Sequence, residues 1–170
     1  MLMNKLEWCL EKGKAGGKKH RGLRKVDSDI SLSKGYLKKA EHNMAFTAEV
    51  RKLGEYDDWV FPVAFYAMYH ACLAILALFG FESRNQECTF AVLESLKEEG
   101  KVAITDADLD ALRKAGKNVG DAPDIRTLRE DFQYGTKTKA DRELVDGAVR
   151  AAGDFVEKVK GMLYVVYREV

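Results

Sequence analysis

Apolar residues recur along most of this 170-residue chain at three- and four-residue steps, the period of helices packed on one side. The longest such stretch, residues 59–81, contains no Asp, Glu, Lys or Arg, and His70 is its only strongly polar side chain. At about 1.5 Å per residue, a helix of that length spans roughly 35 Å, enough to cross a bilayer. Its internal spacing points instead to the central helix of a bundle. Ala64, Ala67, Ala71, Ala74 and Ala77 form a strip of small residues that a neighbouring helix can approach closely. Phe61, Phe65, Met68, Cys72 and Ile75 form a second, bulky strip. Asp57 or Asp58 is placed to cap the start, Pro62 to occupy the first turn and Gly80 to end the helix. The flanks carry no Lys/Arg asymmetry to orient a span.

The same period predicts a helix over 30–53, opened by Asp27-Ser-Asp29 and stopped by Gly54. Its inward stripe reads as Leu37, Ala40, Met44 and Ala48, widened by Phe46, Val50 and Leu53, and its tight connection to the next helix makes the two antiparallel neighbours. A helix over 86–99 turns Phe90, Val92, Leu93 and Leu96 inward and ends at Gly100. Thr105 or Asp106 caps a short helix through Leu109, Leu112 and Ala115, residues 116–123 read as a loop, and Asp124 opens a helix over 125–134 ended by Gly135. The last helix, over 140–167, has the cleanest period: Val145, Ala148, Val149, Ala152, Phe155, Val156, Val159, Leu163 and Val166. Ahead of all this, Asn4 to Lys12 forms a short amphipathic helix on Leu6, Trp8, Cys9 and Leu10. Residues 13–25 are too glycine-rich to hold a helix and read as a loop or mobile arm. The expectation is an all-α, up-and-down bundle over 29–170, preceded by a short helix and basic arm over 1–28.

Composition refines this picture in three ways. Hydrophobic residues at 46% and charged residues at 32% describe one globular domain, not a disordered chain. The three cysteines lie far apart without a C-x-x-C pair, and the N-terminus lacks a basic-then-apolar export design; reduced thiols in a cytoplasmic protein are expected. Net charge is +1 but unevenly spread: residues 12–25 hold seven Lys or Arg and no acid, leaving 21 basic against 27 acidic residues elsewhere. Lys18, Lys19, Arg21, Arg24 and Lys25 thus form a candidate phosphate-contacting arm, whose binding would fall steeply with salt. With one leucine and no aromatic to stack on a base, the arm reads better as docked on the acidic body.

Metal and phosphate-loop chemistry find no support. No His or Cys pair has ligand spacing, and the glycines of 13–22 lack the G-x-x-x-x-G-K-[ST] order, so no metal or cofactor is expected. Tyr66, Tyr69 and His70 give the apolar helix a polar edge, the sort of group that usually satisfies one buried hydrogen bond. Arg126, Arg129, Glu130, Asp131 and Tyr134 crowd one short helix, which on residues alone reads as a solvated, salt-bridged surface.

Several runs nevertheless resemble one family in order. Lys38-Lys-Ala-Glu-His-Asn-Met44, Tyr56-Asp-Asp-Trp59, Ala64-Phe-Tyr-Ala-Met-Tyr-His-Ala71, Gly80-Phe-Glu-Ser83, Leu128-Arg-Glu-Asp-Phe-Gln-Tyr134 and Ala151-Ala-Gly-Asp-Phe-Val-Glu157 are similar to HEPN domains. The likeness is to those of archaea and bacteria often encoded beside a minimal nucleotidyltransferase. The resemblance covers about residues 31–163. It implies a bundle of four to five long helices with short accessory helices, a homodimer, and a toxin–antitoxin-like pairing with the nucleotidyltransferase. Many members are metal-independent ribonucleases carrying Arg-x(4–6)-His, in which arginine holds the scissile phosphate and histidine moves protons. Here the counterpart is Arg129-x4-Tyr134, and no histidine follows His70. A tyrosine with an ordinary pKa near 10 is a poor base at neutral pH. The expectation is therefore a partner-binding module that also binds nucleotide or RNA through Arg126, Arg129 and the arm. The alternative is an active ribonuclease toxin with Arg129 and Tyr134 as its catalytic pair.

Overall fold

The computed structural model describes residues 4–113 and 125–168. Among them lie seven α-helices: α1 (Lys5–Ala15), α2 (Ile30–Leu53), α3 (Asp57–Leu78), α4 (Gln86–Glu98), α5 (Asp106–Arg113), α6 (Ile125–Tyr134) and α7 (Arg142–Arg168). A short 3-10 turn (Gly17–Lys19) and two three-residue strands, β1 (Leu23–Lys25) and β2 (Phe81–Ser83), accompany them among the described residues. The architecture is the expected helical bundle. Ala115, the loop over 116–123 and the Asp124 start fall outside the described residues.

α3 is the centre, packed against α2, α6 and α7. Both strips read from its sequence are buried, the alanines as well as Phe61, Phe65, Met68, Cys72 and Ile75. It is also the one helix among the described residues long and apolar enough to cross a membrane, yet 72% of its most apolar window is buried inside the bundle. Its start differs from expectation. Asp57 and Asp58 lie inside the first turn behind Tyr56, which makes no side-chain cap, and Pro62 sits in the second turn. The Asp57 carboxylate instead accepts from the Ala140 N–H at 2.9 Å, tying the start of α3 to the approach of α7.

α2 begins and ends as its sequence dictates. Asp29 accepts from the Leu32 N–H at 2.8 Å, and Gly54 closes the helix with φ 67°, a left-handed conformation natural to glycine. Its buried stripe is Ser33, Leu37, Ala40, Thr47 and Val50, whereas Ala48, Phe46 and Leu53 are exposed and Met44 half-buried. The polar Ser33 and Thr47 enter the core because each finds an acceptor, the Ala74 carbonyl at 2.6 Å and the Asn43 carbonyl at 2.8 Å. A hydrophobic count alone favours the exposed apolar residues over them.

The glycine-rich segment is not a free arm. β1 pairs antiparallel with β2, Leu23 opposite Ser83, and the pairing continues through Val26 N–H to the Gly80 carbonyl and Arg84 N–H to the Gly22 carbonyl. Glycine serves close approach here rather than mobility. A Cβ on Gly13 would stand 1.8 Å from the Leu23 carbonyl oxygen, so α1 runs through Gly13 and packs directly on β1. Leu23 and Cys9 are fully buried beneath this contact. The expectation of three reduced thiols is also corrected. Cys9 of α1 and Cys88 of α4 form a disulfide across 79 residues, leaving Cys72 free and buried, its thiol pushed up by burial.

Candidate functional site

α6 is strongly amphipathic, and its inward face repeats at steps of four and three: Ile125, Arg129, Phe132. Ile125 is fully buried, and the Phe132 ring lies 4.6 Å from that of Phe61 on α3. Arg129 shares this face, so the helix that seats its neighbours carries a cation into the bundle. Its side chain is 8% exposed. The guanidinium lies over the Phe65 ring, 4.5 Å from its centre, and one Nη donates to the Glu130 carboxylate at 3.2 Å. Its Nε is buried without a hydrogen-bond partner. Phe65 in turn stacks on Tyr69, whose hydroxyl is 3.2 Å from Thr89 and whose acidity is lowered by burial.

Around Arg129 runs a charged chain that joins three helices. Arg126 donates to Glu130 at 3.3 Å and to Glu87 at 3.1 Å, and Glu87 accepts from Lys5 at 2.6 Å. Burial alone would lower the Arg126 pKa, but the hydrogen bonds to Glu87 and Glu130 outweigh it and hold the group above its ordinary value. Lys5 and Glu87 have no local signal in the sequence, because 82 residues separate them. Lys5 chiefly holds the Glu87 carboxyl below its ordinary 4.5. Its contribution to folding is therefore complete above that pH and lost as pH falls through the lowered folded value. Acidification from about pH 6 to about pH 3 is expected to lower the denaturation midpoint less steeply in Glu87→Gln than in the native chain. Identical slopes would remove Glu87 from the joint.

The other predicted residues are distributed differently. Tyr134 is 74% exposed and lies five positions from Arg129, on another face of α6. Arg24 is engaged inside the fold: Nε donates to the Gly13 carbonyl at 3.1 Å and an Nη to the Gly17 carbonyl, which closes the C-terminal end of α1. Lys19, Arg21 and Lys25 are exposed. The backbone of the segment is held through the β1–β2 pairing, while these three cations face solvent. The ionic connection to α6 runs through Lys5, at the opposite end of α1.

His70 and the tyrosines have structural partners. His70 Nδ1 lies 2.6 Å from the Tyr66 carbonyl oxygen and 3.3 Å from the Asn43 side-chain amide nitrogen. Burial lowers the imidazole pKa, keeping it neutral. Among the described residues, no cluster of His, Cys, Asp and Glu is arranged to hold a metal ion.

What this arrangement can do is bind an anion. A planar cation rests on an aromatic face inside a low-dielectric wall, with one donor unused. No family model matches the chain. Its sequence is similar to a UPF0332 protein of Archaeoglobus fulgidus, 27% identical over 124 residues, which span 73% of this chain and 89% of that relative.

Proposed function

We propose that the chain is a HEPN-like binding module: a homodimer that associates with a minimal nucleotidyltransferase in a toxin–antitoxin-like pair and takes a phosphate-bearing ligand, nucleotide or RNA, at Arg129. The observation that carries this reading is the buried guanidinium of Arg129 with its unpartnered Nε, seated on Phe65 beside Arg126. A fold rarely keeps a cation in such a place without a use for it. The similarity to the UPF0332 protein supports the family side of the reading, on residues that include most of the bundle. Binding rather than cleavage is favoured because Tyr134, at the motif's proton-transfer position, is a solvent-exposed phenol turned away from Arg129.

A second copy fits the outer face of α2 and α3. Phe46, Leu53, Trp59 and Tyr66 are all exposed there, an apolar load unusual for a solvated pair of helices. Lys39 lies near His70 at one end of the face, and Glu55 and Asp58 lie at the other. An isologous dimer is self-complementary, and opposite charges at the two ends of one face meet that requirement.

The test is co-expression with a minimal nucleotidyltransferase from the same genome, followed by purification on a tag carried by one partner. The expected result is a stable complex at micromolar concentration, a dimeric mass by sedimentation velocity, and intact cellular RNA whether or not the partner is present. Absence of a complex would remove the partner from the reading. RNA degradation that disappears with Arg129→Ala would replace binding by catalysis.

A further inference from the structure

Residues 5–25 form a unit of their own, a clasp of α1 folded back on β1, and little apolar surface fastens it to the bundle. Cys9 and Leu23 are buried, but Trp8 is 41% exposed and Leu6 and Leu10 are only partly covered. Beyond the β1–β2 pairing and the packing of α1 on α4, its attachments among the described residues include the exposed Lys5–Glu87 ion pair, a 3.4 Å contact between His20 and Glu82, and the Cys9–Cys88 disulfide. Exposed ion pairs and a three-residue strand are weak fastenings. The covalent bond is the strong one, since it closes 79 residues of chain.

We propose that the thiol–disulfide state of Cys9 and Cys88 decides whether residues 5–25 are a docked clasp or a free basic arm. In the oxidised chain Arg24 is engaged with the Gly13 and Gly17 carbonyls and β1 lies on β2. In the reduced chain the β1–β2 pairing is released while Arg24 keeps its contacts inside the clasp, and the cations between Lys12 and Lys25, with no acid among them, become a mobile positive segment. The centre of the bundle lies away from the clasp, where α3 packs against α2, α6 and α7. The switch stands independently of the anion reading at Arg129.

The chemistry is an ordinary exchange. A thiolate of a dithiol reductant attacks one sulfur and displaces the other as thiolate; its second thiol then closes a ring, leaving as the cyclic disulfide. Two electrons pass to the protein, and Cys9 and Cys88 each end as a thiol. Both cysteines are 0% exposed, so the attack waits for a transient opening of the clasp, and reduction is gated by that opening.

Hydrogen exchange of the full chain tests the proposal, comparing the oxidised protein with the Cys9→Ser/Cys88→Ser variant, which needs no reductant to reach the sulfurs. Exchange at the Val26 and Arg84 amides, which bond across the β1–β2 pair, is expected to accelerate roughly 100-fold or more in the variant, while α3 amides keep their protection. Fully dithiothreitol-reduced native protein, its two new thiols counted by alkylation and mass, is expected to match the variant. Unchanged protection at Val26 and Arg84 would overturn the switch, because the clasp would then hold without its bond. Loss of α3 protection in the same step would overturn it too, because the clasp would then be part of the core.

Discussion

Phe61→Ala is expected to lower the unfolding free energy by about 3–5 kcal/mol, a large share of what a domain of this size has. The ring is fully buried in α3, and its contact with Phe132 joins α3 to α6. Truncation removes that aromatic contact and leaves a cavity among neighbours that cannot collapse freely, since the bundle holds them in place. The loss should not spread evenly. α6 has ten residues and few inward anchors, so its amides should gain exchange before those of α7, whose 27 residues bury seven side chains. Urea denaturation followed by helical circular dichroism measures the total, and amide exchange measures its distribution. A loss below about 1 kcal/mol would mean that α6 is seated by something other than this pair.

The helices were legible where local boundary chemistry or a clean period marks them. Asp29 and Gly54 bracket α2, Asn85 and Gly100 bracket α4, and α7 repeats a single apolar stripe from Val145 to Leu163. These are local signals, readable within a few residues of where they act. The strands were not legible for the same reason. Phe81–Ser83 and Leu23–Lys25 are too short to alternate visibly, and neither is a strand without the other, 58 residues away in register. Glycine misled in one direction only. Counted along the chain, residues 13–25 look mobile, yet Gly13 and Gly22 stand where a Cβ would strike backbone. Only the packed structure distinguishes a glycine that frees a chain from one that lets two segments touch.

The site was half legible. Arg126, Arg129 and Glu130 stand out as a charged group, and a surface reading of them treats charge as the deciding property. Spacing says otherwise: Ile125, Arg129 and Phe132 share a face, and an arginine between two buried apolar residues must go inward with them. What no spacing supplies is the partner at long range. Lys5 reaching Glu87, Glu87 reaching Arg126, and Cys9 reaching Cys88 are products of how α1 lies across α4. Three scattered cysteines carry no instruction about pairing, so the disulfide that fastens α1 to α4 was invisible in the sequence.

Arg129→Met is expected to leave stability unchanged or raise it by up to about 2 kcal/mol, while weakening binding of a single-stranded RNA oligonucleotide at least tenfold. The two effects have opposite signs for one physical reason. In the ligand-free fold the guanidinium is almost fully withdrawn from water with its Nε unsatisfied, and that desolvation is only partly offset by Glu130 and the face of Phe65. Methionine has similar reach, carries no charge to desolvate, and makes its own favourable contact with an aromatic ring. Removing the cation does not strand Glu130, because Arg126 still donates to it at 3.3 Å. On the proposed reading a ligand phosphate would reverse the balance by supplying the missing acceptor, since a charge-assisted bond in a dry site is worth about 1.5–3 kcal/mol, or roughly 10- to 150-fold in affinity. Arg129→Lys separates charge from shape, keeping the first and losing the planar fork, and is expected to bind between the other two. The measurements are urea denaturation and RNA titration on the same preparations at one salt concentration. If Arg129→Met instead loses 3 kcal/mol or more while RNA affinity stays where it was, the arginine is there for the fold, and the anion site has to be sought elsewhere on the molecule.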